Sequence, residues 1–94
     1  MATSIQLGGK WFEGHAIATP HTMILTISAR QGFLGCGYVS LATAEKVGDA
    51  VAIVSGVKTF DEMLKAEVRA VSPAAAALGV APGMTGEAAL LKMA

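Results

Sequence analysis

At 94 residues the chain encloses one hydrophobic core and no more. Seven Lys and Arg balance seven Asp and Glu, and charged residues reach only 15%, against roughly 25% in an average soluble domain. This composition excludes a strongly disordered tail and a nucleic-acid binder that works by bulk positive charge.

Residues 3–39 read as an antiparallel meander of about four strands. Gly8-Gly9 separates Ser4-Ile5-Gln6-Leu7 from Lys10-Trp11-Phe12, and paired glycines supply the positive φ of a two-residue hairpin turn. The second strand runs to about Ala18 and stops at Pro20-His21, where proline removes a ladder donor. The third, Thr22 to Ala29, alternates: Met23, Leu25, Ile27 and Ala29 on one face, Thr22, Ile24, Thr26 and Ser28 on the other. Arg30-Gln31-Gly32 turns the chain into a fourth strand, Phe33 to Val39.

After residue 40 the period changes. Ser40 caps a short helix carrying Leu41, Ala44 and Val47 on one face, with Gly48 closing it. Ala50 to Val54 is an unbroken apolar run, which suits a strand covered on both faces. Thr59-Phe60-Asp61-Glu62 matches a capping box, in which the Glu62 side chain reaches back to the Thr59 amide. Phe60, Met63 and Leu64 form the buried stripe of that helix, and Ala66 to Val71 reads as a short strand. Ser72-Pro73 opens a run of four alanines closed by Gly79, and Thr85 caps a last helix, Gly86 to Met93, with Ala88, Leu90 and Leu91 available for packing. The expected architecture is a single α+β domain over residues 1–94, β-rich at about 3–39 and helix-rich at about 40–94.

Three segments resemble a known family. They are Gly32-Phe33-Leu34-Gly35-Cys36-Gly37, then Gly56-Val57-Lys58-Thr59-Phe60-Asp61-Glu62-Met63-Leu64, and finally Leu78-Gly79-Val80 with Gly83-Met84-Thr85-Gly86 and Ala89-Leu90. In this order and spacing they look like the YunC-like family, a small bacterial and archaeal domain of unknown function. The resemblance runs from about Gly14 to Met93. It implies an α+β domain whose N-terminal β-region mediates tetramerisation, and it implies no activity and no cofactor.

Among side chains that carry chemistry, Cys36 stands between two glycines, so backbone can approach a ligand closely there. As a thiolate nucleophile or redox centre it needs a base, and His15 and His21 are the histidines available. The competing reading is a small buried hydrophobe on a strand, which the burial bias of free cysteine favours. These three residues fall short of the four closely paired ligands of structural zinc, so no metal site is expected. The loops Gly56-Val57-Lys58-Thr59, with Lys58 as the anion's partner, and Gly83-Met84-Thr85-Gly86 each enter a helix and are candidates to hold an anion on loop amides, and Gly37 is the glycine beside Cys36 that a ligand can approach. Capping explains Thr59 and Thr85 more simply, and no P-loop lysine follows the glycines before Thr85. Glu13 is the carboxylate to inspect first, since Asp61 and Glu62 are accounted for by a helix start.

From Gly14 to Ala44, Arg30 is the sole Asp, Glu, Lys or Arg. An uncharged, mildly polar strand face such as Thr22, Ile24, Thr26 and Ser28 suits burial against another copy of the chain. The expected partner is therefore the chain itself, as a homo-oligomer and by the resemblance a tetramer, with no nucleic acid and no membrane as partners. Isologous contacts would also remove free sheet edges. The amino-terminal stretch lacks the basic and long apolar regions of a secretory leader, and one cysteine forms no internal disulfide, so a cytoplasmic location is expected. A cysteine-dependent enzyme or thiol sensor and an anion- or metabolite-binding module are the alternatives.

Overall fold

The computed structural model describes residues 2–94; Met1, the first residue of the segment read for a leader, lies outside them. Six strands form one sheet in sequential order: β1 (Ala2–Leu7), β2 (Lys10–Ala18), β3 (Met23–Ser28), β4 (Phe33–Gly35), β5 (Val51–Ile53) and β6 (Ala70–Val71). Four helices intervene: α1 (Leu41–Val47), α2 (Phe60–Lys65), α3 (Pro73–Ala77) and α4 (Gly86–Met93). The α+β reading, with its N-terminal antiparallel meander followed by short helices and two further strands, matches this order.

The β1–β2 hairpin pairs Leu7 with Lys10 across Gly8-Gly9. Both glycines have positive φ, +55° and +78°, as a two-residue turn between right-twisted strands requires. At the end of β2 the Thr19 side chain closes the next turn, accepting from the Thr22 amide at 2.8 Å. Pairing is antiparallel throughout except at β4–β5, where Phe33, Leu34 and Gly35 run parallel to Val51, Ala52 and Ile53. Residues 36–50, which include α1, make the crossover that a parallel pair needs.

Strand alternation sorts the two faces of the sheet. Phe12, Leu25, Ile27, Leu34 and Ala52 point to one side and build the core with Met63 of α2 and with Ala89, Leu90 and Met93 of α4. Val51 and Ala44 are buried but stand outside that cluster. The pleat sends Val51 to the opposite face from Ala52, Val39 abuts Gly35 on that same side, and α1 packs on β5 there. Thus α1 lies on one side of the sheet and α2 with α4 on the other.

Several sequence expectations are corrected. The fourth strand ends at Gly35 rather than Val39, because the Cys36 carbonyl turns away to accept from the Val39 amide at 3.0 Å. Val47 is 65% exposed, so α1 anchors through Ala44 alone among its buried residues. The Glu62 carboxylate accepts from the Lys58 amide at 2.7 Å, one residue before the expected Thr59, while the Thr59 hydroxyl accepts from the Glu62 amide as foreseen. Between Ala66 and Val71 only Ala70–Val71 is strand; Glu67 instead bridges to Thr85. In α4, Ala89, Leu90 and Met93 are buried and Leu91 is more than a third exposed.

Candidate functional site

The divergence of the helices shapes a cleft. The loop after β4 leads to α1 on one face of the sheet, and the neighbouring loop after β5 leads to α2 on the other. Loops that part in this way leave a crevice at the carboxyl ends of parallel strands, the usual place for a ligand in sheets of this kind. A cleft of about 360 Å³ opens there, lined by Thr22, Met23, Cys36, Gly37, Tyr38, Gly56, Val57 and Lys58.

Cys36 borders this cleft but is only 4% exposed. Its amide donates to the Leu25 carbonyl at 3.1 Å, and the Leu25 amide donates to its sulfur at 3.3 Å. The sulfur thus takes the place of the carbonyl that has turned toward Val39, and the β3–β4 pairing is extended by one side chain. Cys36 lies just beyond the strand rather than on it.

No hydrogen bond joins Cys36 to either histidine. His15 projects from β2 on the face opposite the core, with its Nε2 2.8 Å from a Glu13 carboxylate oxygen. The carboxylate singled out for inspection is therefore engaged with the first histidine, and the contact is ionic whenever the imidazole is protonated. Both side chains are widely exposed, so the pair contributes little to stability. His21 is exposed in the turn before β3; its neighbour Thr22 lines the cleft and His21 does not. Among the described residues no three His, Cys, Asp or Glu side chains converge on one point.

The proposed anion-holding residues divide. Gly37 and Lys58 share the cleft with Cys36. Thr59 caps α2 and does not line it. Thr85 caps α4, accepting from the Ala88 amide at 3.2 Å. The Gly86 amide is committed to the Ala66 carbonyl at 2.9 Å, and Gly86 itself is buried against α2. A Cβ at Gly86 would lie 2.1 Å from the Met63 carbonyl oxygen, so glycine is required here for close helix packing.

Sequence reading did not find Thr22, Met23 or Tyr38 as cleft residues, whereas Gly56 and Val57 belong to the loop before Thr59 whose amides it offered to an anion. Tyr38 sits in the glycine-bearing loop after β4, Thr22 and Met23 come from the turn into β3, and the parallel pairing that brings the β4 and β5 loops together leaves no local mark.

Comparison with known proteins agrees with the geometry. A family model described as a domain of unknown function, DUF1805, matches residues 35–93. The uncharacterised protein YunC of Bacillus subtilis (strain 168) is 33% identical over 95 residues, spanning 97% of this chain and 94% of its own. The crystal structure of a protein of unknown function, TA1206 from Thermoplasma acidophilum, superposes with a TM-score of 0.94 at 34% identity, covering 100% of this chain and 92% of that one. The segment matched by the family model begins at the last residue of β4 and contains both loops that form the cleft. The chain belongs to the DUF1805 family, and the YunC-like resemblance of its three glycine-bearing segments is the sequence expression of that membership.

Proposed function

We propose that the protein works as a cytoplasmic homo-oligomer, a tetramer, assembled through the outer face of its N-terminal sheet. The observation that carries this reading is the state of β2. Phe12 on its inner face is buried, whereas Trp11 and Ile17 on its outer face are 66% and 61% exposed. Among the described residues, α1 packs on β5 and the core helices lie on the opposite side, which leaves both side chains open. Ile24, which pairs with Ile17 across the strands, adds to this apolar surface, with half-buried Thr26 and Ser28 beside it, and the Glu13–His15 pair lies between Trp11 and Ile17 on the same face. Large apolar side chains grouped on an open sheet face mark an interaction surface. A second copy presents the same strip, so a two-fold contact would be self-complementary and pair two chains, and the tetramer implied by the family resemblance joins two such pairs. The lone cysteine, which makes no disulfide, supports the reducing compartment.

Light scattering and sedimentation at micromolar concentration test this. The wild type is expected at four times the 9.5 kDa chain. Ile17→Lys should lower the mass with the fold intact, because the side chain is mostly exposed and lies outside the core cluster. Ile24→Lys is the less clean test, since Ile24 also touches the core. A monomeric wild type, or an Ile17→Lys protein of unchanged mass, contradicts the proposal.

A further inference from the structure

We infer that the cleft at the ends of β4 and β5 is a binding site for a small organic carboxylate with an apolar body. This is independent of the oligomer, since every residue used lies in one chain.

Unmet hydrogen-bonding capacity is the first observation. The backbone amides of Gly37, Tyr38, Gly56 and Val57, all in lining residues, have no acceptor among the described residues. Gly37, Tyr38 and Gly56 are exposed residues, so their amides are open to an incoming group, and Val57 beside them is buried. Neighbouring amides are committed: Cys36 to Leu25, Val39 to Cys36 and Lys58 to Glu62. Four amides without an acceptor are thus gathered in the two cleft loops. Donors without acceptors call for an anion or a carbonyl-rich group rather than a cation.

Charge points the same way. Lys58 lines the cleft, and its ammonium has no carboxylate partner among the described residues. No Asp or Glu lines the cleft to oppose an incoming anion. The remaining walls carry the thioether of Met23, the Val57 side chain and the exposed ring of Tyr38, which suit an apolar or aromatic body. The cleft volume lies near the lower end of small-molecule sites, which suits a ligand of that size.

Benzoate is the probe, titrated into the full-length protein labelled with nitrogen-15. Benzyl alcohol supplies the ring without the charge, and inorganic phosphate the charge without the ring. The expected result is saturable movement of the Gly37, Tyr38, Gly56 and Val57 amide resonances by benzoate, with a Kd of about a millimolar for so small a ligand. Lys58→Met should weaken that binding about fivefold, the effect of removing an exposed counter-charge, and leave the rest of the spectrum unchanged. Absence of movement at these four amides overturns the inference. So does equal binding of benzyl alcohol, stronger binding of phosphate than of benzoate, or an unaltered Kd in Lys58→Met.

Discussion

Two side chains stand in for backbone at the places where the sheet is interrupted. Cys36 offers its sulfur to the Leu25 amide after its own carbonyl has turned away. Ser72, fully buried, accepts from the Val51 amide at 2.9 Å, donates to the Asp49 carbonyl at 2.7 Å and caps α3 through the Ala75 amide. Ser72→Ala strands the buried Val51 donor as well as removing a cap, so a loss of about 2–3 kcal/mol in urea unfolding is expected. Ser40→Ala removes an exposed cap that accepts from Thr43 alone, and should cost about 1 kcal/mol. Equal losses for the two variants would show that the buried bonds of Ser72 carry no extra weight. The sequence announced both serines as caps, because Ser before a helical run is a local signal. It could not announce that Ser72 also pairs with a residue 21 positions away, nor that Cys36 closes a strand with its sulfur.

At the scale of elements, the helices and hairpin were legible wherever chain neighbours decide them. Paired glycines, Ser-Pro and the Thr59–Glu62 spacing each specify their own conformation. Elements decided by distant packing were read less well. β6 shrank to two residues, α1 turned out to anchor on one alanine, and the parallel β4–β5 pairing, which creates the cleft, left no periodic trace. The α2–α4 seam is another long-range feature: Gly86 was read as a loop amide for an anion, yet it lies against the α2 backbone. Gly86→Ala forces a methyl group into the Met63 carbonyl and should destabilise by about 3 kcal/mol. Unfolding at the wild-type urea midpoint would mean that α4 can shift without cost and that the seam is not close-packed.

At the scale of the molecule, the shortage of charge acquires a location. The run from Gly14 to Ala44 with Arg30 as its one formal charge spans most of β2, all of β3 and β4 and the start of α1. One side of those strands faces the core; on the other side, β2 presents the exposed Ile17 and β3 the half-buried Ile24. A core alone explains half of that alternation. In the proposed assembly, burial against further copies accounts for the exposed Trp11 and Ile17 on the other side, with the Glu13–His15 pair between them. No helix is long and apolar enough to cross a membrane among the described residues, so the strip is not part of a spanning helix. Trp11 is the sole tryptophan and sits on the strip, so it reports on that surface alone. The most direct measurement is acrylamide quenching of its fluorescence on dilution, read beside the sedimentation mass. The account predicts a shielded Trp11 in the tetramer, becoming fully quenchable in step with dissociation and in Ile17→Lys. A Trp11 as quenchable in the tetramer as in the monomer would contradict it.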